Sequence, residues 1–357
     1  MREETQQENR AIKTALRILR RILCVVLVTV LLLCGFLYAV MYTLCKGPSP
    51  TARDLFVRSV RETSAIGFLA NLYLSDEEIA QIEASSREEL TAETDTSLVE
   101  IASVPAPEDG PYTDAWGYVD DDGDGLIMVK LKGESYVGYM LIVLDPSRVV
   151  LGSHPESFGT RGYSVQEYVE DLDGVAGING GGFDDFGGAG NGSVPTTLIV
   201  KDGVVYNGHR GVGIGFVGID DQNILRVGFR QAKDVTDWNI RDGAGYGPVL
   251  VINGEAMDEK TLASGLNPRT AIGQRSDGAI LMLVIEGRQP SRLGATYMDE
   301  AEIMLEFGAV NACNLDGGSS SMMWYGGEYI NNSASVIGLR PIPTSFVVLK
   351  EGGKSDE

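Results

Sequence analysis

What most limits this 357-residue chain is a run of 23 residues, Ile22 to Leu44, without one charged side chain. As a helix rising ~1.5 Å per residue it spans ~34 Å, and the hydrocarbon core of a bilayer is ~30 Å thick. Such a run does not fit the interior of a small water-soluble domain. It therefore divides the chain into a short N-terminal piece, 1–21, and a long C-terminal one. It exceeds an ordinary signal-peptide core and no A-x-A site follows, which leaves a cleaved signal peptide as the second reading. Arg17, Arg20 and Arg21 crowd its N-terminal flank. That bias predicts a single-pass cell-membrane protein with residues 1–21 cytoplasmic, 22–44 in the bilayer and the remainder extracytoplasmic.

Charge excludes some partners. The net charge is -21. Residues 1–21 carry six basic and three acidic side chains, which is +3, and 22–44 carry none, so everything beyond carries -24. A surface so acidic repels nucleic acid, and an anionic substrate must be held by local arginines against the overall field. Cysteines exclude more. Cys24 and Cys34 lie in the apolar run, Cys45 at its edge, and Cys313 alone in the globular part. No disulfide framework and no C-x-x-C metal spacing is available there, so Cys313 reads as a small buried side chain.

Gly47-Pro48-Ser49-Pro50 breaks the helix at the membrane surface. Thr51 to about Leu74 and Ser75 to about Ser85 read as helices, the second opened by a Ser75/Glu78 capping box. Polar residues with Pro105 and Pro107 follow, so 45–109 is expected to be an extracytoplasmic helical stalk and linker. The globular domain is expected over 110–350, with a polar tail at 351–357. Asp120-Asp121-Asp122-Gly123-Asp124-Gly125 matches the start of a calcium loop at Asp120, Asp122 and Asp124. Position twelve is Leu131 where that loop needs Glu, and a strand follows where it needs a helix. An acidic turn is the stronger reading, and Ca2+ is the one cofactor candidate.

From Leu126 onward, short apolar runs punctuated by some of the chain's 45 glycines predict strands and tight turns. Gly133 separates two strands, Asp202-Gly203 is a hairpin turn, and Ser164 with Glu167 opens a helix. Thr296 with Asp299 opens another, which Gly308 closes. Gly213-Ile-Gly215-Phe-Val-Gly218 has the letters of a dinucleotide fingerprint, but it lies in a strand pattern and no helix follows, so that reading fails. Three strand ends share one grammar of apolar run, glycine and polar group. They are Asn179 with Gly180 and Gly181, Glu286 with Arg288, and Asn314-Leu315-Asp316 with Gly317, Gly318 and Ser319. Were these strands neighbours in one sheet, the groups would converge at one edge. Asp184 to Ser193, rich in glycine, is long enough for a lid.

Four motifs in order carry a resemblance: Ala176 to Phe183 (AGINGGGF), Asn267 to Gly273 (NPRTAIG), Glu286 to Arg288 (EGR) and Asn314 to Ser321 (NLDGGSSS). Together they resemble the phosphodiester glycosidase family, whose bacterial members are often labelled exopolysaccharide biosynthesis proteins. The resemblance covers roughly Ile178 to Val348. It implies an α+β domain, a strand-rich mixed sheet with a few helices, and hydrolysis of sugar-1-phosphodiesters of the N-acetylglucosamine type. Glu286 stands where the family usually has Asp, Ser319 where it often has a third glycine, and Leu339 where an acid commonly precedes the late Arg.

For such a substrate the leaving group is a phosphodiester, already a weak base, so stabilising its negative charge matters more than protonating it. Arg269, Arg288 and Arg340 supply permanently charged planar forks for that task. Asp316 is the first choice for base or nucleophile at the sugar carbon, and Glu286 the second. Asn179 and Asn314 could hold sugar hydroxyls or orient the carboxylate, with Gly180, Gly181, Thr270, Gly317, Gly318 and Ser319 as the remaining binding positions. No G-x-S-x-G occurs, and His154 and His209 lie in no triad context, which excludes a serine hydrolase. The competing reading is a non-catalytic glycan-binding or structural component of an envelope polysaccharide assembly. Nothing in the sequence sets the oligomeric state.

Overall fold

Local rules place most elements. In the computed structural model, which describes residues 2–63, 66–84, 92–102, 111–185, 190–206, 214–230, 235–335 and 338–352, helix α1 runs Arg2–Lys46. It is the one described helix long and apolar enough to cross a membrane, and its large apolar side chains from Leu16 to Val40 are exposed. Helix α2 (Pro50–Arg61) starts with Ser49 capping the Ala52 N–H at 3.2 Å and proline in its first turn, where no N–H is needed. Helix α3 (Asp76–Ala84) carries three acids in its first turn. Cys45, Val57, Val60, Leu74, Ile79 and Ile82 pack these three helices together. Residues 64–65, 85–91 and 103–109 of the expected stalk and linker, Gly110, 186–189 of the expected lid, His209, Gly213 and 353–357 of the tail lie outside the described residues.

Strands follow in the order β1 (Leu126–Lys132), β2 (Val137–Val143), β3 (Val149–Ser153), then helix α4 (Val165–Asp171) and β4 (Gly174–Asn179). Next are β5 (Ile199–Lys201), β6 (Ile214–Asp220), β7 (Leu225–Arg230), β8 (Ile240–Tyr246), β9 (Val249–Ile252), β10 (Arg269–Arg275) and β11 (Ile280–Ile285). Helix α5 (Tyr297–Glu306), β12 (Ala309–Asn314), β13 (Met323–Tyr325) and β14 (Thr344–Leu349) complete the chain. All three expected capping boxes form, Ser75 with Glu78, Ser164 with Glu167 and Thr296 with Asp299. Asp202 and Gly203 both take positive φ, as a tight hairpin turn requires.

The α+β class holds. Among the described residues the strands form three larger sheets and a two-stranded hairpin, Tyr112–Thr113 with Val119–Asp120, and the pairings are antiparallel. One runs β9-β12-β10-β11-β2-β1, a second β13-β4-β14-β3, and a third β7-β6-β8-β5, each with a two-residue strand at an edge. Short hairpin connections favour that outcome, since parallel pairs need long crossovers. One apolar cluster joins all three sheets, with Leu141, Ile178, Val217, Ile272, Met282, Cys313 and Phe346 buried in it. Cys313 is buried, as read from the sequence. Alternate residues of the first sheet, Ala271, Leu283 and Ala312, face α5 through Ala301, Met304 and Phe307. The second sheet covers its other face with Val165, Tyr168 and Val169 of α4.

Asp120, Asp122 and Asp124 offer carboxylate oxygens within 4.8 Å of one another. Asp120 spends both of its oxygens on the Gly123 and Gly125 N–H groups, each at 2.9 Å, and Asp124 accepts from Leu126 at 2.8 Å. The cluster is built as an acidic turn leading into β1.

Candidate active site

Antiparallel register brings the strand ends together. Arg269 opens β10 opposite Ile285, the last residue of β11, and Ala271 pairs with Asn314, the last of β12. The NPR and EGR motifs and the Asp316 turn therefore emerge at one edge of the first sheet. Asn179 does not belong to that sheet; it ends β4 in the second. Convergence is achieved across the gap between sheets. The Asp316 N–H donates to Gly180 O at 3.1 Å, and Asn179 Nδ2 donates to Asp316 O at 2.5 Å. The Asn179 side-chain oxygen accepts from Thr270 Oγ1 at 2.8 Å and from the Met322 N–H at 3.1 Å. Asn179 and Thr270 are fully buried. Their amide and hydroxyl thus clamp the turn in place and are not presented to a ligand.

The turn itself is tight. Leu315 N–H donates to Thr270 O at 2.7 Å and Gly318 N–H to Pro268 O at 2.8 Å. Gly318 takes φ +64°, a conformation that disfavours any Cβ. A Cβ there would also lie 3.0 Å from two nitrogens of Arg288. Asn314 is buried, donates to Gly247 O at 2.7 Å, and leaves its Oδ1 without a partner. Ser319 faces Arg288, its hydroxyl 3.5 Å from Nη1.

Asp316 is partly buried. Burial pushes its carboxyl up to about 6, against the opposing pull of hydrogen bonds from Ser320 and Tyr246 and the charge of Arg340. The acid that adds to the upward push is Asp185, at the start of the glycine-rich loop. Glu286 is arranged differently. It is 1% exposed; one oxygen is paired with Arg292, and the other accepts from the Asn332 N–H at 2.8 Å and its Nδ2 at 3.2 Å. A carboxylate held in that way braces the 331–332 turn.

The three arginines also diverge in role. Arg269, 3% exposed, donates to Ala295 O at 3.0 Å, Gly265 O at 2.6 Å and Glu62 Oε2 at 2.8 Å, and stacks 4.0 Å over Tyr297. Arg288 adopts φ +56°, rare for a side chain of that size. Asn267 Oδ1 accepts from its Nε and Nη2 at 3.2 and 3.0 Å, and Thr63 Oγ1 from Nη2 at 2.8 Å. Burial first, and then Arg269, lower its affinity for its proton, while Asp316 opposes them. Arg340 pairs with Asp185, donates to Gly190 O at 3.1 Å and lies over Phe183, with its Nε left unpaired. Gly180 and Gly181 back this region; a Cβ at Gly181 would meet Gly245 O at 3.0 Å.

Four participants were not named as site residues from the sequence. Tyr246 ends β8 just before a glycine, the same strand-end grammar that marked the other three groups, so it was legible in principle. Its ring packs where a Gly182 Cβ would fall 2.8 Å away, and burial followed by the Asp316 charge holds its phenol well above the usual range. Ser320 lies in the NLDGGSSS motif and Asp185 in the glycine-rich stretch expected as a lid, while Glu62 carried no local signal.

With this geometry in view, likeness to known proteins is informative. Residues 173–349 match the model of the phosphodiester glycosidase family. The SPbeta prophage-derived uncharacterized protein YomE of Bacillus subtilis is 34% identical over 145 residues, 38% of this chain and 22% of that protein. The mouse (Mus musculus) N-acetylglucosamine-1-phosphodiester alpha-N-acetylglucosaminidase is 26% identical over 216 residues, 53% of this chain and 40% of that protein. The chain thus spans well under half the length of either relative. Among solved structures, the catalytic domain of the zebrafish enzyme of that name, auto-inhibited by its pro-peptide, superposes with a TM-score of 0.55 at 18% identity, over 71% of this chain and 87% of that one. A hypothetical protein from Synechocystis superposes at 0.50 with 14% identity, over 63% and 61%. These two likenesses bear on the fold, and the family match on the motifs. Residues 173–349, with the Asn179, Arg269, Arg288 and Asp316 motifs in them, are a domain of the phosphodiester glycosidase family.

Proposed function

We propose that this chain is a membrane-anchored, extracytoplasmic hydrolase that cleaves the glycosidic bond of sugar-1-phosphodiesters of the N-acetylglucosamine-1-phosphodiester type, in cell-envelope or exopolysaccharide metabolism. The observation that carries the reading is Asp316, a partly buried carboxyl at about 6, set beside Arg288 and Arg340. At neutral pH such a group is mostly ionised yet more basic than an ordinary aspartate, which suits attack at the sugar carbon or activation of a water. Arg288, whose Nη1 faces Ser319, and Arg340 supply positive charge for the departing phosphodiester. Tyr246 and Ser320, both bonded to the Asp316 carboxylate, orient it. Glu286 is assigned to bracing and Arg269 to the framework. The name of the mouse relative supplies the substrate class, and α1 with its basic N-terminal flank supports the anchor and its orientation.

The test uses the full chain in detergent micelles with the methyl phosphodiester of N-acetylglucosamine 1-phosphate, and reads free N-acetylglucosamine. Turnover is expected, and Asp316→Asn is expected to abolish it with the fold intact. Full activity in that variant sinks the mechanism. Binding without turnover across a panel of sugar-1-phosphodiesters would make the chain a glycan-binding module.

A further inference from the structure

The segment between the membrane helix and the domain reaches the site. Within five residues at the end of α2, three side chains engage the NPR and EGR motifs. Ser59 Oγ accepts from the Leu266 N–H at 2.9 Å. Glu62 Oε1 accepts from the Gly265 N–H at 2.9 Å, and its Oε2 from Asn267 Nδ2 at 2.9 Å and Arg269 Nη2 at 2.8 Å. Thr63 Oγ1 accepts from Arg288 Nη2 at 2.8 Å. The approach is so close that a Cβ on Gly265 would lie 2.2 Å from the Ser59 nitrogen. Only glycine at 265 lets α2 dock there.

We propose that Glu62 and Thr63 are positioning residues, supplied by the membrane-proximal helix, that set Arg288 for the anionic group of the substrate, Glu62 also holding Arg269 in the framework. This rests on the reading of the substrate as a sugar phosphodiester. Arg269 is buried, and Glu62 is the one acid bonded to it among the described residues. Glu300, the other acid that acts on it, has both oxygens buried without a partner and is driven by burial toward its neutral form. Without Glu62, Arg269 would be a buried cation lacking a counter-charge, an arrangement proteins do not keep. Arg288 depends on the same segment in two ways. Thr63 holds Nη2 directly, and Glu62 holds Asn267, whose Oδ1 accepts from Nε and Nη2. With those arms tied, Nη1 is left facing Ser319 and Gly318 in the Asp316 turn. A guanidinium so constrained loses little further freedom when it meets a phosphate oxygen.

The experiment compares full-length wild type, Glu62→Gln, Thr63→Val and Thr63→Ser in detergent micelles. Hydrolysis of the methyl phosphodiester of N-acetylglucosamine 1-phosphate is followed over a range of concentrations, and binding of inorganic phosphate is measured by calorimetry. Glu62→Gln and Thr63→Val are expected to raise KM and weaken phosphate binding about tenfold or more, the scale of one hydrogen bond to a charged partner. kcat should change little, and Thr63→Ser, which keeps the hydroxyl, should behave as wild type. Unchanged KM and phosphate affinity in Glu62→Gln and Thr63→Val overturn the proposal. So does tighter binding or faster turnover, which would make the segment an obstruction. If wild type binds phosphate in a Thr63-dependent way but does not hydrolyse the probe, the positioning role stands and the proposed reaction falls. A wild type that does neither overturns both.

Discussion

Replacing Asp316 by asparagine should remove activity and yet stabilise the protein, and the pH at which it does so is fixed by the site. The folded protein holds the Asp316 carboxyl at about 6, against an ordinary value of 3.8. About two pH units at ~1.4 kcal/mol each is ~3 kcal/mol, and partial solvent access trims it to ~2 kcal/mol. The sign follows from linkage. Because the folded value is raised, the native state binds the proton more tightly than the unfolded chain. That stabilisation is complete below about pH 4 and is lost as pH rises through about 6. At pH 8 wild type therefore carries an ionised, partly buried carboxylate. The Asp316→Asn variant carries no charge there and keeps an oxygen and a nitrogen for Ser320 and Tyr246. Thermal melts followed by tryptophan fluorescence should show the Asp316→Asn protein higher by ~4–8 °C at pH 8, taking ~2–4 °C per kcal/mol for a domain of this size. The two proteins should coincide near pH 4. In wild type, kcat/KM should rise with pH through a limb near 6. A variant less stable than wild type at pH 8, or a difference that does not change with pH, would refute the assignment of a strained, partly neutral carboxyl to this turn.

Other perturbations separate framework from chemistry. Gly318→Ala forces φ +64° on a residue with a Cβ, which should cost ~1–2 kcal/mol, and crowds Arg288 at 3.0 Å, so KM should rise along with a lowered melting temperature. Asn179→Ala deletes the amide that joins Asp316 O, Thr270 Oγ1 and the Met322 N–H. Leaving those buried groups unpaired should cost ~3 kcal/mol or more, read by chemical denaturation. Glu300→Gln should change stability by less than ~1 kcal/mol at acid pH, because burial favours the uncharged form of that carboxyl. As pH rises and Glu300 must ionise, wild type should fall below the variant in the same denaturation assay.

How much of this was legible depended on how far apart in the chain the partners lie. Capping boxes at Ser164 and Thr296 join residues three apart, and the Asp202-Gly203 turn is set by two. Their chemistry is local, so the sequence alone sufficed. The strand ends at Asn179, Glu286 and Asp316 were legible for the same reason, since an apolar run followed by glycine and a polar group states its own geometry. Their division between two sheets was not. Pairing partners are chosen by which apolar faces can be buried together, and β4 buries its side against β14 and β13 while β12 lies between β9 and β10.

Roles were less legible than positions. Glu286 and Asp316 look alike in sequence, each at a strand end beside glycine. Arg292 and Asn332 neutralise and bind the first, while Tyr246, Ser320, Arg340 and Asp185 surround the second and leave it raised. Arg269, Arg288 and Arg340 likewise read as three equal phosphate ligands until Glu62, Thr63 and Asp185 are seen beside them. Glu62 is 207 residues from Arg269, and Thr63 is 225 from Arg288. By itself, then, the sequence determined the apolar membrane-length helix, the strand-rich domain, its family and the turn that carries Asp316, because periodicity, caps and glycine turns act over a few residues. Only the tertiary structure decided which carboxylate stays strained and which arginine stays open. A charge's state is set by whichever distant groups share its low-dielectric surroundings, and no local pattern records them.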